Sequence, residues 1–82
     1  MKAEVKFSVR DLIGDMRDGA YEIQEGTTVG GLVEASQNEV GKVLSDDVKK
    51  SFVFLVNSKP AAWETVLGEG DMVRVLYKIL GG

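Results

Sequence analysis

Phe52-Val53-Phe54-Leu55-Val56 is apolar at every position, the mark of a strand lying in the interior of a sheet and not at its edge. Reading outward from it settles the architecture. Downstream, Asn57-Ser58-Lys59-Pro60 supplies turn chemistry, with asparagine and proline suited to it for different reasons. Ala61-Ala62-Trp63 follows as a short edge strand, and Gly68-Glu69-Gly70-Asp71 is a second turn. Met72 to Leu80 then forms a last alternating strand, with Val73 and Val75 set against Arg74 and Leu76. Upstream, Val43 to Lys50 reads as a charged connection. Before it, Val29, Leu32, Val33, Ser36 and Val40 keep helical spacing, with Thr28 at the N-cap and Gly41 at the C-terminal end. Gly30-Gly31 weakens that helix by roughly 1 kcal/mol per glycine against alanine, so the pair implies close packing.

The beginning of the chain completes the sheet. Ala3, Val5, Phe7 and Val9 alternate with Lys2, Glu4, Lys6 and Ser8, the period-2 pattern of a half-buried strand. Asp11 to Gly19 reads as a loop with one helical turn at Leu12-Ile13, and Ala20 to Glu25 as a second strand with Tyr21 and Ile23 on one face. Two hairpin-like pairs separated by one helix predict an α+β fold, a mixed four- to five-stranded sheet with the helix across one face. In this arrangement the first and last strands are central and parallel, as in the ubiquitin-like β-grasp.

Composition narrows the chemistry. The 82 residues make a single domain, 1–82, with a core that must be compact. There is no cysteine and no histidine, which removes disulfides, thiolate metal sites and the Ser-His and Cys-His hydrolases. A formal charge of −3 argues against a nucleic-acid surface, since that affinity depends on Lys and Arg neutralising phosphates. Met1-Lys2-Ala3-Glu4-Val5 lacks the apolar run of a signal peptide, and no stretch approaches the roughly 20 residues of a membrane span. The expectation is a cytoplasmic protein without membrane attachment. Asp46-Asp47 and the pair Asp15 and Asp18 lie in charged loops without burial, so no catalytic or metal role is assigned to them. Gly68-x-Gly70 lacks the strand-to-helix context of a phosphate cradle.

From Val56 onward the stations Val56-Asn57, Leu67, Gly70-Asp71, Val73, Val75-Leu76 and Gly81-Gly82 fall in an ungapped run that resembles the ThiS/MoaD sulfur carriers, in particular the molybdopterin synthase small subunit. Val9-Arg10-Asp11-Leu12-Ile13-Gly14 and Thr28-Val29-Gly30-Gly31-Leu32 resemble the family's segments after the first strand and at the helix start. Two departures stand out. Tyr77-Lys78 replaces the prolines that often precede the tail, so the last strand is expected to continue further before the chain leaves the sheet. Lys6 occupies an outward position of the first strand that can be apolar in molybdopterin-type relatives.

The resemblance implies a carrier that is not itself an enzyme. A ubiquitin-activating-type partner uses ATP and Mg²⁺ to adenylate the carboxylate of Gly82, and a sulfur donor protein then displaces AMP to leave a thiocarboxylate. That sulfur goes to the molybdopterin precursor held in the large synthase subunit. Thiazole synthesis for thiamine, and conjugation of Gly82 to protein lysines, are the alternative destinations. No cofactor or metal is expected on the carrier itself. Gly81 and Gly82, having no Cβ, suit a narrow passage, and a flexible tail from about Lys78 to Gly82 can extend roughly 17 Å. Partner recognition is expected at Leu76, Ile79, Leu80 and Arg74. Trp63 reads as a packing residue, and one of Phe52 and Phe54 is expected on a partner surface.

Overall fold

The computed structural model describes residues 1–78. Five strands, β1 (Lys2–Phe7), β2 (Gly19–Glu22), β3 (Phe52–Val56), β4 (Lys59–Ala61) and β5 (Met72–Tyr77), form one sheet in the order β2-β1-β5-β3-β4. β1 and β5 are adjacent and parallel, and the other neighbours are antiparallel. The order of elements predicted a mixed sheet of four to five strands with the first and last strands central and parallel, and the sheet has five.

The main helix, α2 (Val29–Val40), lies across one face. Strict alternation sends Ala3, Val5, Phe7, Val73 and Val75 to that face, where they meet Val29, Leu32 and Val33 in a single buried core. Thr28 caps α2 by accepting from the Gly31 N–H through its side chain, and Gly41 ends it in the left-handed conformation. The apolar stripe departs from expectation at its end. Val40 is exposed, and Gln37 is buried in the last turn, where its backbone carbonyl accepts from Lys42 N–H at 2.9 Å. Ser36 is buried because it has a partner, the hydroxyl of Tyr21 at 2.8 Å.

Gly30-Gly31 has a specific cause. Two free N–H groups at the start of α2 are used up by the β4–β5 connection: Val29 donates to Thr65 O and Gly30 to Trp63 O, at 2.9 and 2.8 Å. A Cβ on Gly30 would sit 3.2 Å from both the Trp63 carbonyl oxygen and its ring.

The helical turn expected at Leu12-Ile13 is a short helix, and the charged connection contains another. α1 (Arg10–Ile13) puts Ile13 fully into the core. α3 (Asp46–Lys50) lies inside the charged connection, capped by Ser45, with Asp46 and Asp47 in its first turn and Lys49 and Lys50 in its last, complementing the helix dipole. At five residues its periodicity is too brief to be read from sequence. The edge strand is also displaced. β4 is Lys59–Ala61, because Asn57 and Ser58 take positive φ (52° and 69°) and make a tight hairpin that starts pairing two residues sooner. Trp63 therefore lies outside the strand and packs inward, stacked on Phe52 at 6.1 Å and edge-on to Phe54 at 4.7 Å. Both phenylalanines are buried, correcting the expectation that one faces a partner: residues two apart in a strand share a face.

Candidate functional site

The candidate site lies at the C-terminal end of β5. β5 reaches Tyr77, whose register partner is Phe52, and the Lys78 N–H still donates to Ser51 O at 2.7 Å. A proline at 78 has no N–H to offer this bond, so Lys78 keeps the chain paired one residue beyond the strand, as its sequence suggested. The tail expected from about Lys78 therefore has its first residue tied to the sheet. Ile79, Leu80, Gly81 and Gly82 lie outside the described residues.

The face of the sheet opposite α2 is formed by the other parity. On β5 it carries Met72, Arg74 and Leu76; on β3, Val53 and Leu55. Register places Val53 beside Leu76 and Leu55 beside Arg74, with Pro60 beside Leu55. Leu55 and Leu76 are half-buried, whereas Val53 and Met72 remain 38% and 41% exposed. An apolar strip thus crosses β3 and β5, broken by the exposed Arg74. Leu76 and Arg74 fall where the alternation put them. Val53 and Leu55 were missed, although their signal was present. A strand apolar on both faces, in a domain with helix enough to cover only one, leaves an apolar face uncovered.

Charge on this face is uneven. Toward the β2 side Lys2 and Glu22 are register partners of opposite sign. Toward the tail, Lys6 is the register partner of Arg74 on the parallel neighbour, and both are exposed. Beside the tail root the β1–β2 connection makes a shallow recess lined by Ser8, Val9, Arg10, Asp11, Leu12 and Tyr77. Arg10 organises this connection. Its guanidinium pairs with Asp18 at 2.9 Å and donates to the carbonyls of Gly14 and Met16, while Asp18 Oδ1 accepts from Phe7 N–H at 2.9 Å. The Arg10-Asp11-Leu12 motif is thus a clasp that shapes the wall of the recess.

The stations Asn57 and Asp71 sit at the far end of β5. Asn57 donates from Nδ2 to Asp71 Oδ1 at 2.9 Å and accepts from Met72 N–H at 3.0 Å, and Asp71 Oδ2 accepts from Gly68 N–H at 2.7 Å. The Gly68 backbone donor, and then the Asn57 amide, hold the Asp71 carboxyl below its ordinary value. This cluster locks two turns together and is remote from the tail. Among the described residues no group of acidic side chains is arranged to hold a metal ion, and no helix is long and apolar enough to cross a membrane.

Comparison with known proteins places this geometry. None of the curated proteins matches the chain. Among solved structures, a Pyrococcus furiosus protein named as a molybdopterin converting factor subunit 1 is 26% identical, with a TM-score of 0.68 over 96% of this chain and 99% of its own. SAMP1 from Haloferax volcanii is 19% identical, with a TM-score of 0.70 and full coverage of both chains. The complex of subunits 1 and 2 of the molybdopterin-converting factor from Helicobacter pylori contains a chain 20% identical, with a TM-score of 0.54 and full coverage of both. The latter two likenesses speak to fold alone. The family model of the ThiS family matches residues 8–82. That match spans nearly the whole domain, from the end of β1 through the tail, and on it the chain belongs to the ThiS family.

Proposed function

We propose that this chain is a sulfur carrier that works through the carboxyl carbon of Gly82 and not through a side chain. A carboxylate resists nucleophiles, so an activating enzyme of the ubiquitin-activating type uses ATP and Mg²⁺ to make the acyl-adenylate, releasing pyrophosphate. Hydrosulfide supplied by a donor protein then attacks that carbon and expels AMP, leaving a thiocarboxylate. The domain contributes no general acid or base. It contributes binding energy, which holds an otherwise dilute nucleophile in a reactive geometry.

The observation that carries this reading is the apolar strip formed by Val53 and Leu55 on β3 and Leu76 on β5, the strand that leads directly into the tail. Leu76 to Gly82 can span at most roughly 20 Å, so a partner seated on the strip has its reactive centre within reach of the carboxylate. Ile79 and Leu80 extend the apolar character toward Gly81 and Gly82 and are assigned to the same partner contact.

The destination we favour is the molybdopterin precursor, with a large synthase subunit as the receiving partner. The Pyrococcus furiosus likeness, named as a molybdopterin converting factor subunit 1, supports it. Thiazole synthesis and conjugation to proteins use the same activation step, and the fold shared with SAMP1 keeps the second in view. Deleting Gly81-Gly82 tests the proposal in cells. Molybdenum-enzyme activity should be lost, and its survival would refute molybdopterin as the destination. Thiamine auxotrophy in its place would redirect the sulfur, and target-linked ladders would mark a modifier.

A further inference from the structure

The carrier reading accounts for the apolar strip but not for the two cations beside it. Lys6 and Arg74 are register partners on adjacent parallel strands, on the outward face, at the end of the sheet nearer the tail. Neighbouring strands lie about 4.8 Å apart, so the side chains start side by side, and like charges so placed oppose the pairing of their strands. The repulsion is not forced by composition. The chain has 13 acidic residues against 10 basic ones, and on the same face it sets Lys2 against Glu22. Glu4 is the nearest outward carboxylate along β1, but it stands opposite Met72, about 7 Å from Lys6 along the strand. None of the ion pairs among the described residues involves Lys6 or Arg74.

We propose that Lys6 and Arg74 together receive carboxylates on the docking surface of the activating enzyme, and that this pair selects which activating enzyme the carrier serves. The inference rests on the carrier reading and deepens it. Charge complementarity identifies the occupant: two adjacent cations flanked by Leu55 and the Val53–Leu76 rung fit an acidic group at the rim of an apolar contact. An activating enzyme meets the free carrier as a diffusing co-substrate, so paired rim charges act where they are most effective, on encounter and on exclusion of wrong partners.

The test is ATP–pyrophosphate exchange by the activating enzyme of the same source, with the carrier concentration varied at low and high salt. Lys6→Glu and Arg74→Glu should each raise the KM for carrier at least tenfold at low salt and leave kcat unchanged. Both should flatten the salt dependence of kcat/KM, because exposed charges are screened within about 10 Å at 0.1 M. Lys6→Arg should behave as the parent, and so should Lys42→Glu, on the helix side. Lys6→Glu places opposite charges in register, so its melting temperature should not fall, which separates docking from folding. If the parent protein supports no exchange, the carrier reading itself fails. If it supports exchange and both reversals keep the parental KM within twofold, the assignment of Lys6 and Arg74 is overturned. A parent that sediments as a dimer dissolved by Lys6→Glu would overturn it too, the pair then serving contact with Glu4 or Glu22 of a second copy.

Discussion

Leu76 shows how much one side chain's parity decides. Its neighbours Val73 and Val75 are fully buried, and Leu76 points the other way, half-buried beside Val53. Replacing it with aspartate should cost the free domain little while weakening partner binding at least tenfold, about 1.4 kcal/mol, as for an interface anchor. A titration of the activating enzyme against both proteins, with a melting curve of each, separates the two effects. Asp71 calls for a different measurement. Its carboxyl is held below the ordinary 3.8 by Gly68 and Asn57, so its contribution to stability is present above that value and disappears as pH falls through the lower folded value. Asp71→Asn should therefore melt below the parent at neutral pH, and the gap should narrow once pH drops under about 3.8. An exposed carboxylate gives a modest gap, and its closure with acid is the diagnostic feature. Asn57 and Asp71, among the strongest marks of the family in the sequence, turn out to clamp two turns far from the tail. Their hydrogen bonds brace the end of β5 opposite the tail.

At the scale of elements, the start of α2 offers a paired test. Alanine at Gly30 would press on the Trp63 carbonyl, which is fixed because it accepts the Gly30 N–H, whereas at Gly31 it meets mainly the Thr27 methyl, a side chain that can turn aside. Gly30→Ala should destabilise the domain despite a propensity gain near 1 kcal/mol, and Gly31→Ala should be neutral or stabilising by up to about that amount. Urea titration of the two variants checks the difference in sign. Lys78→Pro should remove the bond to Ser51 O, with a loss of about 1 kcal/mol by the same method. These elements also show what was legible in advance. The strands and α2 announced themselves because each repeats its period several times, and Thr28 and Gly41 bracket the helix with the expected chemistry. α1, four residues long, showed only as a single turn at Leu12-Ile13, and α3, at five residues, leaves no period to detect. β4 was misplaced because its start depends on positive φ at Asn57 and Ser58, a conformation that sequence permits without dictating. For the site, Leu76 and Arg74 followed from alternation. Lys6 opposite Arg74 needed the register of two strands nearly 70 residues apart, which no local pattern encodes.

For the whole molecule, the division of labour proposed is between the five-stranded sheet and the residues that follow Lys78. α2, α1 and α3 contribute to one core on one side of the sheet, and none of them covers the other side, with its apolar strip and cation pair. The central claim is that a partner seats the domain while Gly82 is activated, and mass spectrometry of the intact protein reads that directly. After incubation with its activating enzyme, ATP, Mg²⁺ and a sulfur source, the account predicts a gain of about 16 Da, one oxygen exchanged for sulfur, localised to the fragment ending in Gly82. An unchanged mass, under conditions where the same enzyme activates another carrier, would contradict it.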